Sequence, residues 1–92
     1  MVKFPFARIL VIDDNPAVVD ILAAHLRGAG YGVSSALTGD DGLKDFILAR
    51  PDLVLLDITL PGEMNGIELL KRIRLFKLLL NGTCAEVASG GD

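Results

Sequence analysis

The sequence predicts an α/β fold in which helices cover both faces of a parallel sheet. Short apolar runs alternate with segments that have the spacing of amphipathic helices, as strand-helix-strand units do. Two runs, Arg8–Ile12 and residues 53–56, are unbroken and rich in branched residues, which is typical of strands buried on both faces. Acidic residues follow these two runs directly: Asp13, Asp14 and Asp57.

The composition predicts one small globular domain over residues 1–92. Hydrophobic residues make up 51% and charged residues 23%, which is typical of a folded chain. A net charge of −3 without a basic run predicts no binding to nucleic acid or to an anionic membrane. No apolar stretch reaches the roughly 18 residues of a membrane span and no signal-peptide pattern begins the chain, so a cytoplasmic location is expected. The single cysteine, Cys84, is expected to be a spectator thiol.

The pattern predicts three strand-helix units. Each helix begins at a capping residue and ends at a glycine or before a proline. The caps are Asn15, Thr38 and Asn65, and the ends fall near Gly28, at Arg50 and near Leu80, where Asn81-Gly82 follows. Residues 31–37 are predicted to form the second strand, which is more polar than the other two and is therefore placed at an edge of the sheet. With right-handed crossovers the first strand lies in the middle, in the order 2-1-3.

The three aspartates are predicted to form one acidic pocket. Parallel α/β sheets present ligand sites at the carboxyl ends of their strands, where Asp13, Asp14 and Asp57 would meet. Such close carboxylates repel one another by an amount on the order of kilocalories per mole unless a cation neutralises them. Oxygen ligands without a nearby His or Cys suit Mg²⁺ or Mn²⁺. Asp57 is the candidate nucleophile for phosphoryl transfer, because it opens a loop whose glycines, Gly62 and Gly66, let backbone approach a phosphate.

The segments ILVIDDN and LVLLDITLPGEMNGIELL resemble the receiver domain of two-component response regulators, with a match over residues 7–74. The resemblance implies a three-layer α/β/α, flavodoxin-like fold. It implies that Asp57 accepts a phosphoryl group from a phosphohistidine, on a sensor histidine kinase or a phosphotransfer protein. It also implies an Mg²⁺ site that includes Asp57, with Asp14 as a direct ligand, Asp13 as a ligand through water and the Thr59 carbonyl as a third protein oxygen.

The C-terminal part departs from the family pattern. The family has five strands, with a Ser or Thr ending the fourth and a Lys ending the fifth, whereas no lysine follows Lys77. Residues 81–92 match no family element, so we expect a receiver shortened to about three strand-helix units. An alternative places a fourth strand at residues 78–80, with Thr83 supplying the hydroxyl. With three strands the third is an apolar edge, so we expect a homodimer, through paired third strands or through exchange of the segment after Asn65.

The sequence therefore predicts a signalling module that accepts phosphate and is not an enzyme. Two functional alternatives remain open. A degenerate receiver would serve as an interaction or dimerisation module, which the missing lysine favours. An aspartate-nucleophile phosphatase would also use a strand-end aspartate with Mg²⁺, but its usual Asp-x-Asp differs from Asp13-Asp14-Asn15. His25 is predicted to be a surface histidine. A solvated helix face or a docking patch for an acidic partner is predicted for Lys71, Arg72 and Arg74.

Overall fold

The computed structural model describes residues 7–79 and the backbone of residues 86–90. In chain order the elements are β1 (Arg8–Ile12), α1 (Pro16–Gly28), β2 (Gly32–Ala36), α2 (Gly39–Ala49), β3 (Leu53–Asp57), α3 (Gly66–Leu79) and β4 (Glu86–Gly90). All strand pairs are parallel, and the order in the sheet is β2-β1-β3-β4. The predicted 2-1-3 order, with β1 central and β2 at an edge, is therefore confirmed.

The strand β4 corrects the expectation that the sheet ends at β3. All five residues of β3 have a register partner in β4, from Leu53 opposite Glu86 to Asp57 opposite Gly90. β3 is therefore an interior strand, which agrees with its apolar composition. The prediction of an exposed third-strand edge is wrong, and with it the proposed pairing of third strands in a homodimer loses its basis. Exchange of the segment after Asn65 stays a prediction.

The C-terminal alternatives have different outcomes. A fourth strand at residues 78–80 is wrong, because Leu78 and Leu79 belong to α3. Within residues 81–92, whose sequence resembles nothing in the family, residues 86–90 form β4. The remaining predictions for this region lie outside the described residues: the helix end near Leu80 with its Asn81-Gly82 stop, the Thr83 hydroxyl and the Cys84 thiol.

The three predicted caps begin the three helices. The side chains of Asn15, Thr38 and Asn65 accept hydrogen bonds from first-turn amides of α1, α2 and α3, at 3.0, 3.1 and 2.9 Å. The first amides of a helix have no partner within the helix, so each bond satisfies a donor that would otherwise need water. Because Asn15 caps α1, the two aspartates before it are not needed for that purpose.

The helices form layers on both faces of the sheet, as predicted. α2 and α3 cover one face over a core that includes Leu10, Ile12, Phe46, Val54, Leu56, Leu69 and Ile73. α1 covers the other face, where Ile9 and Val11 are buried but Leu53 and Leu55 of β3 are only half-buried. Among the helices described, none is both long and apolar enough to span a membrane.

Candidate metal centre

The three aspartates singled out in the sequence meet at the carboxyl end of the sheet. β1 and β3 are adjacent, with Ile12 in register with Leu56, so the residues that follow these two lie side by side. Asp13, Asp14 and Asp57 each offer a carboxylate oxygen, and these oxygens lie within 4.8 Å of one another. Asp14 is exposed, and the other two are half-buried. The arrangement is one acidic pocket open to solvent.

Local hydrogen bonds hold the first member of the acidic pair. The amide of Asp13 donates to the carbonyl oxygen of Ala36 at 3.1 Å, which extends the contact between β1 and β2. The Oδ1 atom of Asp13 accepts a hydrogen bond from the amide of Asn15 at 2.9 Å. Within residues 7–79 the carboxylate of Asp14 has no such bond. Asp14 is therefore free to bind a ligand from solvent.

Thr59 holds one oxygen of the Asp57 carboxylate. The Oδ1 atom accepts two hydrogen bonds from this residue, from the amide at 2.9 Å and from the hydroxyl at 2.6 Å. Only the carbonyl of Thr59 was predicted to take part in the site, so neither of these two bonds was expected from sequence. An Asp followed two residues later by Thr was an available signal, because short polar side chains commonly bond to nearby backbone. The carbonyl as a metal ligand stays a prediction.

Two glycines allow close packing of the acceptor loop, which we define as residues 58–65. A Cβ atom at Gly66 would lie 2.5 Å from the Cα atom of Ile58, so the start of α3 presses on the start of the loop. A Cβ atom at Gly39, the first residue of α2, would overlap the carbonyl oxygen of Met64. The loop is therefore packed against two helix starts.

The described residues provide no cation for the pocket. Among their side chains the only ion pair joins Arg72 to Glu68 at 3.0 Å, on an exposed part of α3. Lys71 and Arg74 are exposed as well, in agreement with a solvated helix face. The predicted surface position of His25 is confirmed. Unneutralised carboxylate oxygens with no nitrogen or sulfur donor among them form a donor set that suits a hard divalent cation.

Comparison with known proteins identifies relatives. The protein-family model for the response regulator receiver domain matches residues 9–81. The alkaline phosphatase synthesis transcriptional regulatory protein PhoP of Bacillus subtilis is 40% identical over 72 residues, which are 78% of this chain and 30% of the relative. The DNA-binding response regulator MtrA of Mycolicibacterium smegmatis is 45% identical over 67 residues, or 73% of this chain and 29% of the relative. The chain thus spans less than a third of these relatives.

Solved structures share the fold. The response regulator TrrA of Thermotoga maritima, solved in complex with Mg(2+)-BeF, has a TM-score of 0.76 and 37% identity over 88% of this chain and 65% of that one. A CheY-like receiver domain protein of Methanospirillum hungatei has a TM-score of 0.76 and 33% identity over 95% and 66%. The predicted flavodoxin-like fold is confirmed. The chain belongs to the family of receiver domains found in the response regulators of two-component systems.

Proposed function

We propose that residues 1–92 act as one phosphoacceptor domain of a two-component phosphorelay, and that Asp57 receives the phosphoryl group. The observation that carries this proposal is the meeting of three carboxylate oxygens within 4.8 Å at the ends of β1 and β3. Membership of the receiver family supports it, as does the relative whose structure is a complex with Mg(2+)-BeF.

The proposed ligands of Mg²⁺ are Asp13, Asp14, Asp57 and the carbonyl of Thr59. The carboxylates fit because their mutual repulsion is uncompensated by any described side chain. When bound, the ion supplies positive charge that neutralises phosphate oxygens. The chain supplies the geometry, because β1 and β3 hold the acidic pair and Asp57 side by side.

The Asp57 carboxylate has one oxygen suited to attack. Thr59 occupies Oδ1 with two hydrogen bonds, whereas Oδ2 has no hydrogen-bond partner among residues 7–79. In the proposed step a carboxylate oxygen attacks the phosphorus of a phosphohistidine, a P–O bond forms and the P–N bond breaks. The imidazole leaves and takes up a proton. The products are an acyl phosphate on Asp57 and a free histidine on a sensor histidine kinase or phosphotransfer protein.

A second function that the site allows is that of an interaction module that no longer accepts phosphate. Incubation with acetyl phosphate and Mg²⁺ tests both functions. A receiver accumulates a phosphorylated form, a phosphatase releases phosphate without accumulating it, and an interaction module does neither.

A further inference from the structure

We infer that Gly39 is a positioning residue for the acceptor loop, an inference that rests on the proposed function. Gly39 is buried at the start of α2, and the chain of Met64 occupies the space that a side chain would need. A Cβ atom there would overlap the carbonyl oxygen of Met64 and lie 2.6 Å from its Cγ atom. Real Cβ contacts below 3.0 Å essentially never occur, and here the obstructing atom belongs to the backbone. A larger residue therefore has to move the loop.

The loop connects this contact to the phosphoacceptor. At its start the amide of Leu60 donates to the carbonyl oxygen of Asp57 at 3.3 Å, in addition to the two bonds from Thr59 to the carboxylate. At its end Gly66 packs against Ile58, so the loop closes on its own beginning. Packed interiors transmit displacements rather than absorb them. A shift at Met64 should therefore change the placement of Thr59 and Asp57.

Gly39, on the α2 side of its contact with Met64, is connected through the end of β2 to Asp13. Gly39 follows Thr38, the cap of α2, and this connection begins at the end of β2. There the carbonyl oxygen of Ala36 accepts the hydrogen bond from the amide of Asp13. The contact between Gly39 and Met64 thus lies between the segment that holds Asp13 and the segment that holds Asp57. It helps set the spacing of the proposed ligands without containing any of them.

Gly39→Ala is the test variant, because it removes no ligand and adds one methyl group. A misplacement of about 1 Å in a positioned group can lower a reaction rate about 100-fold. For one added methyl group we expect a smaller displacement, and Mg²⁺ affinity should fall about tenfold. The phosphorylation rate by acetyl phosphate should also fall about tenfold at saturating Mg²⁺, since the loop stays displaced when the ion is bound. A purely structural role would lower the melting temperature and leave both quantities of the folded protein unchanged.

Gly42→Ala is the matched control. Gly42 is buried in the same helix, and a Cβ atom there would lie 2.7 Å from the Cδ1 atom of Ile12, a side-chain end in the core. This variant should lose stability yet keep the Mg²⁺ affinity of the wild type. Met64→Ala is the second variant, because it removes the loop side chain that packs against the core while position 39 stays glycine. It should weaken Mg²⁺ binding severalfold.

The experiment titrates Mg²⁺ into the four proteins at a temperature at which circular dichroism shows each one folded. Weaker binding in Gly39→Ala and Met64→Ala, with Gly42→Ala like the wild type, supports the inference. Wild-type affinity in Gly39→Ala overturns it, as does an equal loss in Gly42→Ala. If Gly39→Ala does not fold, wild-type affinity in Met64→Ala overturns it. A wild-type protein that binds no Mg²⁺ overturns the proposed function together with this inference.

Discussion

The two ends of the sheet use aspartate in different ways. At the amino end, Asp52 accepts a hydrogen bond from the amide of Arg8 at 2.8 Å, and its own amide donates to the Arg8 carbonyl at 2.8 Å. At the carboxyl end, the oxygens of Asp13, Asp14 and Asp57 lie within 4.8 Å, and no described cation pairs with them. The same residue type therefore has two roles: Asp52 joins two segments through its hydrogen bonds, whereas the three clustered aspartates are available to a ligand.

This difference has opposite consequences for stability. The hydrogen bonds of Asp52, with that from the Arg8 guanidinium to the carbonyl oxygen of Ala49 at 3.2 Å, stabilise the fold directly. Repulsion among the carboxylates at the other end should instead lower stability, and the proposed cation would relieve it. Added Mg²⁺ should therefore change the stability effect of substitutions at the carboxyl end and leave that of substitutions at the amino end unchanged.

The largest expected effect is the loss of the Mg²⁺ response in Asp57→Ala. At a concentration about 100-fold above the dissociation constant, a ligand stabilises the folded state by about 2.7 kcal/mol. The wild type should show a rise in melting temperature that corresponds to this gain, and Asp57→Ala should show almost none. Thermal melts across a Mg²⁺ series measure the effect. An equal rise in both proteins would contradict a site at Asp57.

Asp14→Asn should stabilise the protein without Mg²⁺ and lose most of the Mg²⁺ response. Two unit charges about 4 Å apart in water repel by about 1 kcal/mol, so the gain should be about 1 kcal/mol or less for this exposed carboxylate. Urea unfolding with and without Mg²⁺ measures both changes. A loss of stability in the absence of Mg²⁺ would show that the acidic pair stabilises the fold by itself.

Asp52→Ala should lower stability and leave the Mg²⁺ response intact. It removes the acceptor for the Arg8 amide, and one hydrogen bond contributes about 1 kcal/mol. The same urea experiment gives the free energy of unfolding at each Mg²⁺ concentration. If this variant lost the response, the acids at the two ends of the sheet would not be functionally distinct.

The smallest expected effect is that of Glu68→Gln, which removes the charge of an acid already paired with Arg72. Exposed helix pairs of this kind contribute about 0.3–0.5 kcal/mol, so the melting temperature should hardly change. The Mg²⁺ response should equal that of the wild type. Any weakening of Mg²⁺ binding would indicate that net charge, rather than the three-aspartate pocket, attracts the ion.

The carboxyl end of the sheet was predictable from sequence, whereas β4 was not. Acids that directly follow two apolar strands must meet if those strands are parallel neighbours, so Asp13, Asp14 and Asp57 could be placed together. Residues 86–90, EVASG, contain one β-branched residue and three with weak strand preference. This segment is a strand because it pairs with β3, and local sequence carries no sign of that partner.

The contact between Gly39 and Met64 was equally hidden from sequence. It joins residues 25 positions apart in the chain, and it depends on how the acceptor loop packs onto the start of α2. A glycine at a helix start is compatible with many roles, and only the tertiary structure shows which atom lies against it. The caps at Asn15, Thr38 and Asn65 were predictable because they depend on contacts within three residues.

Intact-protein mass spectrometry after incubation with acetyl phosphate and Mg²⁺ tests the central claim most directly. The wild type should gain the mass of one phosphoryl group, and hydroxylamine should remove it because the product is an acyl phosphate. Asp57→Asn should gain nothing, whereas Asp52→Asn should be labelled like the wild type. A wild-type protein that remains unlabelled, or a label that persists in Asp57→Asn, would contradict the assignment of Asp57 as the phosphoacceptor.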